Sequence, residues 1–181
     1  MKQRLEALFA PLLAVVLAAG ILWAASAALL PTARENALAE REAVFRTLLP
    51  GSETFTREPY DGEGTAISAV YRGENGYVIE TVTAGYAGDV TLWVGVDDGG
   101  TVTGLMTRDL SETWGLGRSA LTDGAFLRQF LRTGGDAQVG AGVDAISGAT
   151  VTSRAVATGV NAAVAYVTGA DVSSGATEWG G

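Results

Sequence analysis

AISAVYRGENGYVIETVTAGYAGDVTLWVGVDDGGTVTGLMT, residues 66–107, is the stretch that decides the fold. Four runs, Ala66 to Arg72, Tyr77 to Ala84, Val90 to Val96 and Val102 to Thr107, are cut by Gly73-Glu74-Asn75-Gly76, by Gly85 to Asp89 and by Asp97-Asp98-Gly99-Gly100. β-Branched and aromatic side chains suit a pleated surface, whereas Gly, Asn and Asp tolerate the backbone of tight turns, so the runs predict strands and the separators predict hairpins. Each strand then lies beside its sequence neighbour in an antiparallel meander. Tyr77, Ile79 and Thr81 alternate with Val78, Glu80 and Val82, which predicts a sheet with one better-buried face. Asp97, Asp98 and Asp109 suggest a cation site at first sight, but Asp97-Asp98 falls in a hairpin turn, where carboxylates are routine, and no metal is assigned.

Downstream the periodicity changes. Thr122 to Leu131 reads as a helix, capped by Thr122 or Asp123, with Phe126, Leu127, Phe130 and Leu131 on its apolar side and Gly134-Gly135 as its stop. A Gly-rich connection passes through Val139 and Val143 into Asp144-Ala145-Ile146-Ser147-Gly148-Ala149-Thr150 and then Val151-Thr152-Ser153. Val156, Val160, Ala163, Val164 and Val167 recur at helical spacing, which predicts a helix over 152–167 with Thr152 and Ser153 as capping types near its start. The seven residues thus set a hydroxyl at the mouth of a helix. Gly148 and Ala149 let a bulky group approach the backbone, and unpaired N–H groups at the helix start favour a phosphate. On chemistry alone an ordinary strand-to-helix turn fits equally well. Strands followed by helices make the class α+β.

Upstream, no charged residue falls between Glu6 and Arg34, and Leu8 to Leu30 is long and apolar enough to cross a bilayer as one helix. Lys2 and Arg4 precede it, so the positive-inside rule predicts a cytoplasmic N-terminus and an extracytoplasmic remainder. A cleaved signal peptide is the other reading, since Ala24-Ala25-Ser26-Ala27-Ala28 offers small residues. Against it, the apolar run continues through Leu29 and Leu30. Pro31 to Leu49 turns charged and helical, with Leu38, Val44, Phe45, Leu48 and Leu49 partly on one face, and contact with its own domain is favoured over a partner helix. Pro50-Gly51 ends it, and Ser52 to Gly64 reads as a loop or short edge strand.

The chain has 181 residues, no Cys and no His. That removes thiolate metal sites, iron–sulfur clusters, His-ligated haem, disulfides and Cys or Ser-His nucleophiles. Net charge is −8 and the lone lysine is Lys2, so the part beyond the span is strongly acidic, which argues against nucleic-acid binding.

Asp144 to Thr150 resembles the flavinylation motif of the FMN-binding domain family: Asp, two spacers, Ser or Thr, Gly, Ala, Thr. Leu110-Ser111-Glu112-Thr113-Trp114-Gly115-Leu116-Gly117 is similar to that family's Ser-x-Glu-Thr-Pro-Gly-Leu-Gly loop, with Trp114 in place of a rigid Pro. Gly85-Tyr86-Ala87-Gly88, leading into a strand, is a third and weaker match. The resemblance implies FMN esterified through its phosphate to Thr150, with Ser147, Gly148 and Ala149 shaping the phosphate turn. It implies further that Glu112, Thr113, Leu116 and Gly117 flank the flavin ring, and that Asp144 serves recognition by a flavin transferase acting after export. Asp171-Val172-Ser173-Ser174-Gly175-Ala176-Thr177 fits the same pattern, but no helix-like run follows it, so Thr150 is the expected acceptor and Thr177 a second candidate.

The implied layout is a cytoplasmic segment at 1–7, a transmembrane helix at 8–30, a helical stalk at 31–50, an FMN-binding domain at 51–168 and a flexible tail at 169–181. Span, stalk and exported domain together are similar to the G-subunit family of Rnf-type ion-translocating ferredoxin:NAD oxidoreductases, and to the C-subunit family of the sodium-pumping NADH:quinone oxidoreductases. This implies an electron-relay component of a membrane translocase, with other membrane subunits as partners and no independent catalysis. A free-standing extracytoplasmic flavin carrier is one alternative. A cofactor-free tethered binding or scaffolding domain is another.

Overall fold

The computed structural model describes residues 2–62, 65–86, 88–110 and 121–170. The chain divides into two compact units, Met1–Arg41 and Glu42–Gly181. The first is one long helix, α1, which spans Lys2–Leu48 and gives its last turns to the second unit. The described side chains from 14 to 27 are exposed all round the helix, Val15, Val16, Leu17, Ile21, Leu22 and Trp23 among them. Among the described residues no helix is long and apolar enough to cross a membrane.

The second unit is built on the expected meander. β1 (Thr56–Glu58), β2 (Ile67–Arg72), β3 (Gly76–Ala84), β4 (Asp89–Asp97) and β5 (Val102–Leu110) follow one another across one antiparallel sheet. The separators do what their composition dictates: Gly73 N–H donates to Gly76 O, Gly85 N–H to Gly88 O, and Asp97 Oδ1 accepts Thr101 N–H at 2.8 Å. Gly100 takes φ +80 in the third turn. The carboxylates of that turn have partners of this structural kind, since Asp98 pairs with Arg72 at 2.5 Å.

One face is the better buried, as expected: along β4, Val90, Leu92, Val94 and Val96 are fully buried, whereas Asp89, Thr91 and Trp93 are not; the clean alternation expected on β3 is what the structure corrects. Val78, Ile79, Glu80 and Thr81 on β3 are all buried, because each face of the sheet has a cover. On one face lies α3, Thr150–Thr168, whose Val156, Val160, Ala163 and Val164 join Val70, Ile79, Leu92 and Val94 in the main core. A side chain at Gly159 would meet Thr81 Oγ1 at 2.7 Å, so this glycine sets how closely α3 approaches β3. The other face receives the end of α1: Phe45, Leu48 and Leu49 are buried with Ala69, Tyr71 and Val78. Phe45 packs edge-on to Trp93 and Phe55 and tilted against Tyr71, with ring centroids 5.1, 5.3 and 4.8 Å away. Gly95 and Gly104, paired across β4 and β5, admit the Leu48 backbone, whose carbonyl accepts from Thr103 Oγ1 at 2.6 Å.

The helix expected over 122–131 is shorter. α2 covers only Gly124–Arg128, with Asp123 as its cap accepting from Ala125 and Phe126 N–H. The chain leaves the helical path because Arg132 N–H donates to Val102 O while Val102 N–H donates to Thr133 O, which ties this segment to the edge of β5, and Arg132 adopts φ +66. Phe126 and Phe130 still reach the core. A two-residue parallel pair, β6 (Gln138–Val139) and β7 (Gly142–Val143), sits in the connection to α3.

Candidate functional site

α3 runs antiparallel to β3. Tyr166 stacks edge-on to Tyr77, Gly159 faces Thr81, and Ala155 O accepts from Thr83 Oγ1 at 3.0 Å. The start of α3 therefore lies toward the end of the sheet that carries the Gly85–Gly88 hairpin. β5 ends at the same edge, where Leu110 pairs with Val90, and the chain re-enters the described structure at Leu121, whose carbonyl accepts from Thr107 Oγ1 at 2.9 Å. Three segments far apart in sequence thus converge. Glu112, Thr113, Leu116 and Gly117, expected to flank a ring, lie outside the described residues, as do Ala87 and Thr177.

The motif itself is a tight turn feeding a helix. Val143 and Ala149 are buried at its two ends, while Asp144, Ser147, Gly148 and Thr150 are exposed between and beside them. Ala149 N–H closes the turn on Ile146 O at 2.9 Å, and Gly148 takes φ +79, a conformation that side chains disfavour. Thr150 is the first helical residue and Ala149 the cap, with no side-chain cap hydrogen bond and no acidic residue in the first turn. Arg154 is exposed one turn on. An uncapped helix start without carboxylates is chemically suited to an anion.

Thr152 and Ser153, expected as capping types, are fully buried instead. The helix starts two residues earlier than 152, which turns both side chains inward. Ser153 Oγ donates to Ala149 O at 2.9 Å and accepts from Ile146 N–H at 3.3 Å, so it fastens the motif turn from inside. Gln129 carries no signal in the sequence, yet its carboxamide accepts Asp144 N–H at 2.8 Å and donates to Asp144 O at 3.3 Å. Nothing in a linear motif points to a residue fifteen positions upstream.

Other polar clusters lie elsewhere. Glu80, on the face that receives α1, accepts from Ser68 Oγ, Trp93 Nε1 and Arg108 Nη1 at 2.7, 2.9 and 2.8 Å. A concavity lined by Arg57, Glu58, Pro59, Tyr60 and Asp61 adjoins the far end of α3, where Tyr60 packs on Tyr166. Among the described residues no group of three or more acidic, His or Cys side chains could hold a metal ion.

Residues 85–165 match the FMN-binding domain family. The G subunit of the ion-translocating oxidoreductase complex of Methanosarcina acetivorans is 32% identical over 148 residues, covering 71% of this chain and 75% of that protein. The chain belongs to the FMN-binding domain family. A second relative, the G subunit of the Na(+)-translocating ferredoxin:NAD(+) oxidoreductase complex of Acetobacterium woodii, is 34% identical over 98 residues, 49% of this chain and 47% of its own length. In this FMN-binding domain the matched region takes in the Gly85–Gly88 hairpin, both ends of the 111–120 segment, the motif and most of α3.

Proposed function

We propose that this chain is a membrane-anchored flavoprotein subunit that carries FMN as a phosphate ester on Thr150 and relays electrons within an Rnf-type ion-translocating oxidoreductase complex. The observation that carries the reading is the start of α3: an exposed Thr150 as first helical residue, beside Gly148 at φ +79, with neither a side-chain cap nor an acidic first turn. A phosphate there meets the positive end of the helix, worth about 0.3–1 kcal/mol per charge at an exposed site. Thr150 Oγ1 holds the phosphoryl group, and Ser147, Gly148 and Ala149 leave the space beside it. Glu112, Thr113, Leu116 and Gly117 belong to the segment assigned to the ring, and Asp144 to recognition by the flavin transferase. When bound, FMN supplies the redox chemistry, and the protein supplies placement.

A chain without Cys or His lacks the thiolates of an iron–sulfur cluster and the imidazole of a His-ligated haem, which supports the flavin as its redox centre. A covalent link suits an exported domain, where a dissociated cofactor would be lost to dilution. For the anchor, Leu8 to Leu30 would span about 35 Å as a helix, enough for a hydrocarbon core of roughly 30 Å. The apolar side chains exposed around α1 support it, and Lys2 and Arg4 favour a cytoplasmic N-terminus. Both relatives are named as subunits of ion-translocating complexes, which supports other membrane subunits as partners.

Intact-mass measurement and peptide mapping of the protein purified from its own membranes test this, with wild type beside Thr150→Ala and Thr177→Ala. An FMN-sized adduct on the Thr150 peptide, lost only in Thr150→Ala, is expected. An adduct on Thr177 alone would move the acceptor into the tail. No adduct at either position, in cells that make the transferase, would leave a cofactor-free scaffolding domain.

A further inference from the structure

The motif is linear in sequence, yet its first residue is held by a side chain outside it. We infer that Gln129 is a positioning residue for attachment of the flavin at Thr150, presenting Asp144 to the transferase in a fixed orientation. This rests on the assignment of Thr150 as acceptor and Asp144 as recognition residue.

A carboxamide carries one acceptor and one donor side by side, so it can pair with a backbone N–H and C=O as a neighbouring strand would. Gln129 does this with both main-chain groups of Asp144, at 2.8 and 3.3 Å. Its own backbone is fixed, since Gln129 N–H donates to Phe126 O and the adjoining Phe130 is buried in the core. Both polar backbone groups of Asp144 are therefore engaged, while its side chain lies on an exposed residue. At the other end of the turn Ser153 grips Ile146 and Ala149. Asp144 and Thr150 are thereby held as parts of one folded surface. The tail copy, Asp171 to Thr177, sits in no such matched segment, since the family region ends at 165.

A second clamp provides an internal control. Asn161 Oδ1 accepts Ala137 N–H at 3.1 Å and its Nδ2 donates to Ala137 O at 2.9 Å, which ties the same connection to α3 without touching the motif. If clamps acted only through stability, the two would be equivalent. If Gln129 presents Asp144, only its loss impairs recognition.

Ester formation needs an activated donor, because condensation with free FMN would have to expel water. With a flavin dinucleotide, the Thr150 Oγ1–P bond forms and a P–O bond of the pyrophosphate bridge breaks. The nucleoside monophosphate leaves with the bridging oxygen, the hydroxyl proton passes to a base, and no electron changes hands.

The test is the initial rate of adduct formation by the flavin transferase on the full chain in detergent, with a flavin dinucleotide as donor and the acceptor concentration varied. Wild type, Gln129→Ala, Gln129→Glu and Asn161→Ala are compared below their melting temperatures. Gln129→Glu is isosteric and keeps the acceptor for Asp144 N–H while losing the donor to Asp144 O. We expect Gln129→Ala to raise the KM for the acceptor and to lower kcat/KM about tenfold, Gln129→Glu to lie between it and wild type, and Asn161→Ala to lower the melting temperature with kcat/KM within about twofold of wild type. Unchanged kcat/KM in folded Gln129→Glu and Gln129→Ala would overturn the inference while leaving Thr150 as acceptor. Equal losses in Gln129→Ala and Asn161→Ala would reduce Gln129 to a structural role. Absence of adduct on wild-type Thr150 would instead sink the flavin reading itself.

Discussion

Glu74 is exposed, yet its carboxylate accepts from Thr54 Oγ1 at 2.8 Å and from the N–H groups of Glu53 and Thr54 at 2.9 and 3.1 Å. The Thr54 hydroxyl is the largest cause that holds its pKa at about 2, below the ordinary 4.5. Because the folded-state value is the lower one, the charged form is favoured by folding, and its contribution is present above 4.5 and lost as pH falls toward about 2. The melting temperatures of wild type and Glu74→Ala should therefore differ at neutral pH and converge across that acid window. A gap that persists at the acid end would mean that the charge of Glu74 is not what ties the 52–54 segment to the β2–β3 hairpin. At this same scale the candidate site is half legible in the sequence. Thr150, Ser147 and Gly148 stand out because they fall in one seven-residue motif, and the structure leaves all three exposed. Ser153 reads as a cap and Gln129 does not stand out at all, since a helix that starts two residues early and a contact across fifteen residues have no local signature.

At the scale of elements, the last turn of α1 behaves as part of the domain. Leu48 rests on Gly95 and Gly104, and a Cβ at Gly104 would fall 2.5 Å from Leu48 Cα, against backbone that cannot swing aside. Gly104→Ala should cost about 1–3 kcal/mol as overpacking, and Phe45→Ala about 3–5 kcal/mol as a cavity among three aromatic rings. Gly134→Ala, with no heavy atom within 4 Å of its Cβ, should be close to neutral. Urea unfolding with unchanged m-values would measure all three, and equal midpoints for the two glycine variants would contradict the close seat of Leu48. The four main strands are legible because turn chemistry and β-branched runs are local. The shortening of α2 is not, because Val102 competes for the backbone that follows it from the start of a strand well upstream in the chain.

For the molecule as a whole, the question is where the domain begins. Residues 42–49 supply the cover of one sheet face, so a fragment starting at Glu35 should unfold cooperatively, whereas one starting at Gly51 exposes Ala69, Tyr71, Val78 and Trp93 and should bind a hydrophobic dye and aggregate. Equal cooperativity in both fragments would show that the sheet tolerates an open face. The helical segment that precedes this region belongs to a separate compact unit, and its described apolar side chains from Val15 to Trp23 are exposed.

The sequence by itself determined the meander, the α+β class, the family and the presence of a helix after the motif, though not its first residue, because strand alternation, hairpin residues and a seven-residue motif are all properties of neighbours along the chain. Only the tertiary structure decided that both sheet faces are covered, that the end of α1 plugs one of them, and that Gln129 and Ser153 hold the motif turn. These depend on which elements pack together, and packing partners are chosen by shape and by hydrogen-bond satisfaction across distances that local periodicity does not encode.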